Sequence, residues 1–350
     1  RTTKLASSIA HINGQKVVGA EAYTSEPESG RWQEYPFALK AVGDKAFTEG
    51  INRMVIHRYA MQPHPDAAPA MTLGPWGIHF DRTNTWWEPG RAWIDYLNRC
   101  ETLLQEGLFV ADLAYFTGDN IVGYTKVHRR DLNPVPPEGY DYDLMNTETL
   151  LNRAWVERGR LRLPDGMNYR VLVLQEQSHI TLGLLRKLRN MVEQGLIIVG
   201  ARPQQTVGLQ SYSVIEEKEF EQLCDELWGK AATTVVDRSV GKGRIFWETS
   251  LNLEQVLEKI QLRPDFEVIT DSISAPIRYI HRQIGEADVY FVANQQRTSK
   301  ELICNFRVKG KIPEFWNPIS GERTRAMVYQ TNEETISVPV QLEAYGSVFV

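Results

Sequence analysis

Hydrophobic and polar positions in the first hundred residues alternate in a way that predicts short buried strands separated by helices. Residues 16–21 and 52–59 are apolar runs with the character of parallel strands. A helical pattern over residues 32–42 lies between them, and a strand, a helix and a strand form the β/α unit of parallel sheets and barrels. Further helices are predicted over residues 7–13 and 91–106. Only two such strands occur before the pattern changes, so this chain alone cannot close an eight-stranded barrel.

The alternation of strands and helices restarts near residue 108. This pattern is typical of a doubly wound α/β domain of about 150 residues. The predicted strands cover residues 109–116, 169–174, 196–199, 233–236 and 244–247, and the predicted helices cover 146–158, 181–194, 216–228 and 252–260.

Helical periodicity disappears beyond about residue 264. Short alternating strands with closely spaced turns replace it, which predicts an antiparallel β-sandwich. These strands are predicted over residues 267–270, 277–282, 288–294, 301–308, 324–329, 335–340 and 347–350. The expected division is therefore 1–107 for the end of a barrel, 108–263 for the α/β domain and 264–350 for the sandwich.

Composition excludes several classes of function. The chain has 350 residues, 42% hydrophobic and 24% charged, with a net charge of −5. These values are ordinary for a globular protein and provide no basic stripe for nucleic acid. No apolar run reaches the roughly 18 residues needed to cross a bilayer. The three cysteines, Cys100, Cys224 and Cys304, form no CxxC pair and are expected to be buried small hydrophobic residues.

The chain is expected to be a fragment of a longer protein. Arg1 is not an initiator methionine, and no signal-like apolar segment precedes the first strand. The final strand also runs to the last residue.

Polar and aromatic residues are concentrated where the second strand ends. His57, Tyr59 and Gln62 alternate there and offer donors and acceptors for hydroxyl groups. A loop rich in Gly and Pro follows over residues 63–89, and structureless loops of this length are usually functional. Catalytic and binding groups lie at the carboxyl ends of barrel strands. We therefore expect this strand end and its loop to form a sugar site.

The same loop carries three tryptophans, Trp76, Trp86 and Trp87, with His79 among them. Flat indole faces suit the CH-rich faces of pyranose rings. A single tryptophan is more often part of a core than a ligand platform. Three tryptophans in one Gly/Pro loop favour at least one of them as part of the sugar site. His79 is a candidate to bind the sugar beside them.

Glu21 is the candidate catalytic carboxylate because it ends the first predicted strand. In glycoside hydrolysis one carboxylate protonates the leaving oxygen while a second attacks the sugar or activates water. The competing interpretations are a structural glutamate paired with an arginine and the N-terminal acid of a following turn. Glu49 precedes the second strand, which places it roughly 25 Å from that strand's carboxyl end if the chain is extended. Catalytic carboxylate pairs lie about 5–9.5 Å apart, so Glu49 is a minor candidate.

Several segments resemble glycoside hydrolase family 106. The most specific part lies between residues 50 and 87, and the resemblance covers nearly the whole chain. The segments are GAEAYTS at 19–25, GINR at 50–53, HRYAMQP at 57–63, GPWG at 74–77, TWWE at 85–88, ADLAYF at 111–116 and FWNPISG at 315–321.

The resemblance implies α-L-rhamnosidase activity on rhamnose-containing polysaccharides and glycosides. It implies a (β/α)₈ catalytic barrel, an amidotransferase-like α/β domain and β-sandwich modules. It also implies an inverting mechanism with two glutamates, a calcium ion near the sugar, and a periplasmic or secreted location. Glu21 matches a barrel-strand carboxylate, in the role of the base that activates water. Its partner acid would lie on an earlier strand that this chain does not contain.

Two other functions remain open from the sequence. One is a non-catalytic carbohydrate-binding or scaffold fragment, which the missing barrel strands favour. The other is a retaining enzyme of the β-galactosidase type with the same order of domains. The stereochemistry of the product distinguishes a retaining from an inverting enzyme.

Overall fold

The computed structural model describes residues 3–118, 128–175, 178–207, 214–230, 235–248, 251–269 and 276–350. Within these ranges it contains six α-helices, a short 3₁₀-helix at Arg129–Asp131 and one turn of π-helix at Thr149–Arg153. The α-helices are α1 (Thr3–Ile12), α2 (Pro36–Thr48), α3 (Arg91–Leu104), α4 (Leu182–Glu193), α5 (Val214–Trp228) and α6 (Leu253–Lys259).

The strands are short. In chain order they are β1 (Gly19–Ala22), β2 (Arg53–Ile56), β3 (Leu108–Phe109), β4 (Leu113–Phe116), β5 (Tyr142–Met145), β6 (Trp155–Glu157), β7 (Arg160–Arg162), β8 (Asn168–Tyr169), β9 (Val171–Leu174), β10 (His179–Ile180), β11 (Ile197–Val199), β12 (Gln205–Thr206), β13 (Val235–Val240), β14 (Gly243–Glu248), β15 (Phe266–Ile269), β16 (Ile277–Ile284), β17 (Ala287–Asn294), β18 (Lys300–Phe306), β19 (Glu314–Trp316), β20 (Arg323–Arg325), β21 (Gln330–Thr331), β22 (Ile336–Leu342) and β23 (Ser347–Phe349).

The chain divides into two compact units, each built from two separate segments. The first unit comprises residues 1–15 and 108–265, and the second comprises residues 16–107 and 266–350. The predicted barrel-end segment and the predicted sandwich segment therefore share one unit. The finer division into three domains stays a prediction.

The first unit is built on a mixed sheet with the strand order β13-β14-β11-β9-β4-β5. Its strands are parallel except β13, which pairs with β14 in the antiparallel sense. The chain order reverses between β4 and β9, as in a doubly wound sheet. β9 has the sequence VLVL and is buried along its whole length, because a parallel strand is covered on both faces.

α4 shows how local sequence determines one helix of this unit. The Thr181 hydroxyl accepts a hydrogen bond from the Leu184 backbone N–H at the helix N-terminus. Apolar residues then recur at helical spacing, and Leu184, Leu188 and Val192 are fully buried. The helix predicted over residues 181–194 is confirmed.

The second unit contains one parallel pair of strands and two antiparallel sheets. β1 and β2 pair in register, with Glu21 opposite Val55. The antiparallel strands follow the orders β15-β18-β22-β21 and β20-β19-β23-β17-β16. Residues from both antiparallel sheets, among them Tyr290 and Val338, contribute to one hydrophobic core.

A buried polar cluster joins three elements of the second unit. The Lys40 ammonium of α2 donates to Asp44 Oδ2 at 2.5 Å and to the Ser347 hydroxyl of β23 at 2.7 Å. Tyr96 of α3 donates its hydroxyl to Asp44 Oδ1. A buried carboxylate needs such partners, so this cluster links α2 and α3 with the antiparallel sheet that contains β23.

Two predicted helices are wrong in extent or type. The helix predicted over 146–158 is a single π-helical turn followed by the β6–β7 hairpin. Asn146 does cap that turn, accepting from the Thr149 backbone N–H at 2.9 Å. The helix predicted from residue 32 begins only at Pro36, because proline is suited to the first helical position.

Several predicted strands differ from the observed strands mainly at their ends. The strand predicted over 109–116 is interrupted between β3 and β4, and the one over 324–329 ends at Arg325. Residues 233, 234 and 270 of the predicted strands lie outside the described residues. Cys100, Cys224 and Cys304 are buried and free, as expected. No helix in the described ranges is long and apolar enough to cross a membrane.

Candidate functional site

Glu21 lies near the carboxyl end of β1 and is exposed. Its strand neighbours explain this position: alternation places Val18 and Ala22 on the buried face and Glu21 on the opposite one. The Thr24 hydroxyl donates a hydrogen bond to Glu21 Oε1. Among the described residues, no lysine or arginine forms an ion pair with this carboxylate. The structure therefore does not show a glutamate held by an arginine, whereas the Thr24 contact is the one expected of an acid at the start of a turn.

The turn after β1 is fixed by Tyr23. This residue has a positive φ of 63°, and its ring lies 5.1 Å from the Trp93 ring. Its hydroxyl is buried against Gly43, where an added Cβ would lie 2.5 Å away. Burial, and then the nearby Asp44 carboxylate, raise the pKa of Tyr23 above its ordinary value. This contact joins residues twenty positions apart, and no local sequence pattern predicts it.

A segment of the long loop lies along the ends of both strands. The Arg58 backbone N–H donates to the Ile78 carbonyl, and the Phe80 N–H donates to the Arg58 carbonyl, each at 3.0 Å. The Gly77 N–H donates to the Ser25 carbonyl at 2.8 Å, and the Ile78 N–H to the Tyr23 carbonyl at 3.3 Å. The loop is therefore paired with the turn that follows Glu21 as well as with the end of β2.

Arg58 is a second anchor of this loop. Its side chain is 5% exposed, and its guanidinium donates to the carbonyls of Trp76, at 3.1 Å, and of Gly74. Burial lowers the pKa of Arg58 below its ordinary value. Arg58 was not among the predicted site residues. An arginine that follows a strand and precedes a Gly/Pro loop is the signal that could have identified it.

Gln62 is half-buried, and its amide is engaged within the loop. Its Nε2 donates to the Met71 carbonyl at 2.9 Å and to Asp81 at 3.2 Å, while its Oε1 accepts from the Met71 N–H at 2.9 Å. Asp81 is buried and also accepts from the Thr83 backbone N–H at 2.8 Å. Gln62 therefore holds the first half of the loop against the second half.

The two predicted histidines differ in their surroundings. His57 is half-buried, and its Nδ1 has no hydrogen-bond partner in the described part of the chain. His79 is buried and stacks on Trp32 with ring centroids 3.8 Å apart. Burial, and then the Arg58 charge, lower the pKa of His79 below its ordinary value, against the opposite effect of Asp81. Trp32 was not among the predicted site residues.

The aromatic residues fall into two groups. Tyr59 and Trp76 are 65% and 50% exposed and are available to a ligand. Trp86 and Trp87 are half-buried and pack around Phe80, with ring centroids 6.0 and 5.1 Å from it. The structure thus brings Tyr59 and Trp76 to the surface of the loop, while Trp86 and Trp87 support it.

One further candidate carboxylate lies away from this arrangement. Glu49 is the C-terminal cap residue of α2, and its carboxylate lies 3.9 Å from the Lys45 ammonium. It precedes β2 and is therefore not at the carboxyl end of that strand.

The resemblance also implies a calcium ion. The described ranges contain no group of three or more His, Cys, Asp or Glu side chains able to hold a metal. No step of the chemistry below passes through a metal.

The sequence matches a known family over most of its length. The family model described as α-L-rhamnosidase, glycoside hydrolase family 106, matches residues 2–331. A relative from Formosa agariphila, named "Putative beta-glucuronidase", is 36% identical over 348 residues, covering 99% of this chain and 28% of the relative.

Solved structures agree with this match. A rhamnosidase from Novosphingobium sp. PP1Y superposes with a TM-score of 0.89 and 33% identity, covering 99% of this chain and 32% of that one. A β-galactosidase from Bacillus circulans sp. alkalophilus gives a TM-score of 0.58 at 10% identity, covering 99% of this chain and 57% of that one, and shows similarity of fold alone. The chain spans less than a third of the length of its relative and of the similar rhamnosidase. From the extent of the family match, the chain belongs to glycoside hydrolase family 106, the α-L-rhamnosidase family.

Proposed function

We propose that this chain is the C-terminal portion of an inverting glycoside hydrolase that removes terminal α-L-rhamnosyl groups from polysaccharides or glycosides. In this proposal β1 and β2 are the last two strands of a (β/α)₈ barrel, and Glu21 is the general base. Glu21 deprotonates a water molecule that attacks the anomeric carbon from the face opposite the leaving group. The partner acid comes from a strand outside these 350 residues.

The position of Glu21 is the observation that supports this proposal most directly. Its carboxylate is exposed at the carboxyl end of a parallel strand and has a hydroxyl, not a guanidinium, as its described partner. A base must reach its water, and catalytic groups of barrel enzymes lie at this end of the strands. The loop beside it is tied to the same turn through Gly77 and Ile78.

The residues proposed to contact the substrate are chosen because their side chains are exposed. Tyr59 and Trp76 are accessible and suit the hydroxyls and the apolar face of a pyranose. His57, Gln62 and His79 position the loop, and in the complete enzyme they are candidates for hydrogen bonds to ring hydroxyls. Trp86 and Trp87 form the wall behind them.

A second substrate class follows from the name of the Formosa relative. A β-glucuronide carries a carboxylate at C6, where an α-L-rhamnoside carries a methyl group, and the two sugars also differ in the stereochemistry of the ring. Aryl glycosides of the two sugars therefore distinguish these substrates. A non-catalytic carbohydrate-binding role predicts binding of both without turnover.

The experiment uses the full-length gene product with aryl α-L-rhamnoside and aryl β-glucuronide. We expect hydrolysis of the rhamnoside, with inversion seen by NMR of the fresh product. Glu21→Gln should lower kcat by about 10²–10⁴-fold, the usual contribution of a general base. Glu28→Gln, which alters an exposed glutamate nearby, is the matched control and should leave kcat unchanged.

Three results would contradict the proposal. Full activity of Glu21→Gln would remove the assigned base. Retention of configuration would favour a β-galactosidase-type mechanism. Turnover of the glucuronide alone would replace the substrate class.

A further inference from the structure

We infer that Thr24 is a positioning residue for the Glu21 carboxylate: its hydroxyl holds Oε1 and leaves Oε2 available to the attacking water. This inference rests on the proposed function of Glu21 as the general base. Thr24 was not among the predicted site residues and lies three positions after Glu21.

The contact is a hydrogen bond from the Thr24 hydroxyl to Glu21 Oε1. It is the only hydrogen bond to this carboxylate found among the described residues. One carboxylate oxygen is therefore engaged, and the other accepts no hydrogen bond from a described residue. A threonine hydroxyl has one hydrogen to donate, so it can restrain one oxygen without occupying both.

The turn that presents Thr24 is held independently of its side chain. The Tyr23 carbonyl accepts from the backbone N–H groups of Ser25, at 2.9 Å, and Ile78, at 3.3 Å. The Ser25 hydroxyl donates to Glu34, and its carbonyl accepts from Gly77. Because the residues on both sides of Thr24 are anchored, removal of its hydroxyl should change the carboxylate and leave the turn in place.

Restraint matters here because Glu21 is exposed. A free glutamate side chain samples many rotamers, and fixing it in one of them costs conformational entropy. A general base must hold its oxygen within about 2.6–3.2 Å of the water proton donor. The Thr24 hydrogen bond selects a rotamer before substrate arrives, so its loss should lower kcat more than it raises KM.

The test compares Thr24→Val with Thr24→Ser in the full-length gene product, using the aryl α-L-rhamnoside. Valine keeps the shape and removes the hydroxyl, whereas serine keeps the hydroxyl and removes the methyl group. We expect kcat to fall about tenfold in Thr24→Val with KM unchanged within twofold, and to recover to at least half of the wild-type value in Thr24→Ser. Thr24→Ala, which creates no new contact, should reproduce the valine result.

A double-mutant cycle connects the effect to Glu21. In the Glu21→Gln background, Thr24→Val should cause no further loss, because the group that it positions no longer acts as a base. An equal loss in both backgrounds would overturn the inference, and so would a wild-type kcat in Thr24→Val. Thermal unfolding of each variant, expected within about 2 °C of wild type, excludes a loss caused by misfolding.

The outcomes separate this inference from the proposed function. If Glu21→Gln is inactive and Thr24→Val is fully active, only the positioning role of Thr24 fails. If Glu21→Gln is fully active, the proposed base fails and the Thr24 inference fails with it.

Discussion

The molecule contains two sets of parallel strands that differ in how they are covered. In the first unit β9 is buried on both faces, and Val171, Leu172 and Val173 have no exposed surface. In the second unit β1 and β2 form a two-stranded pair in which one face is open, with Val55 57% exposed and Glu21 exposed beside it. Parallel sheets are normally covered on both faces.

The two sets of strands also differ in the elements that hold them in place. The β9 strand is held by its neighbours β4 and β11 on either side. The ends of β1 and β2 are held instead by the loop that contains Gly77, Ile78 and Phe80. In the proposed barrel this face of β1 and β2 lines the interior, so the exposure of Glu21 and Val55 is that of these 350 residues alone. We therefore expect the same substitution to destabilise the protein much more in β9 than in β1 or β2.

The largest expected difference is between two valines. Val173→Ala removes two methyl groups from a fully buried position and should lower the free energy of unfolding by about 2–3 kcal/mol. Val55→Ala, in a parallel strand where this side chain is 57% exposed within these 350 residues, should change the free energy of unfolding of the 350-residue chain by less than about 0.5 kcal/mol. Urea denaturation of that chain, followed by circular dichroism, measures both variants. Equal losses would show that Val55 is packed in the folded 350-residue chain.

A smaller effect is expected from the loop that secures the open pair. Gly77 has a φ of 88°, and an added Cβ would lie 2.4 Å from His57 Nδ1. Gly77→Ala should therefore cost about 1–3 kcal/mol and displace the loop, with a fall in kcat/KM for the aryl rhamnoside. Gly74→Ala is the matched control, because Gly74 also has a positive φ, of 82°, but its nearest neighbour is at 3.8 Å. If Gly77→Ala and Gly74→Ala lose equal stability and equal kcat/KM, the backbone strain at positive φ, and not the contact with His57, causes the loss.

The smallest effect is a pH dependence at His79. Its pKa is lowered in the folded state, so the unfolded chain takes up a proton first as the pH falls below about 6.5. Stability from this residue is thus present at neutral pH and decreases as the pH falls through this window. In His79→Phe, which keeps a ring against Trp32, the fall in Tm between pH 7.5 and 5.0 should be smaller than in the parent protein. His64→Phe, at an exposed histidine of the same loop, is the control. An unchanged pH dependence in His79→Phe would contradict this account.

Much of the fold could be predicted because its signals are local. The cap and apolar spacing of α4, the apolar run of β9 and the alternation around Glu21 each lie within a few residues. The helix predicted over 146–158 was wrong because the residues after Asn146 complete one turn and then pair as the hairpin of β6 and β7. That pairing depends on the partner strand and not on the local pattern.

The candidate site was predictable in position but not in its internal contacts. The end of β1 and the loop of residues 63–89 could be identified from strand direction and Gly/Pro content. The stacking of His79 on Trp32 and the contact of Tyr23 with Gly43 join distant positions through shape, and periodicity carries no such information. The Arg58 bonds to Gly74 and Trp76 likewise depend on how the loop folds back.

The buried group around Asp44 has a consequence for the order in which the protein can mature on the ribosome. Lys40 and Tyr96 are synthesised well before the hydroxyl that completes their cluster, which belongs to Ser347, about three hundred positions after Lys40. Residues 108–265, which form the first unit, are synthesised in between. A nascent chain paused before residue 347 would hold Lys40 and Tyr96 without this partner, so the second unit is completed only after the first unit has been synthesised.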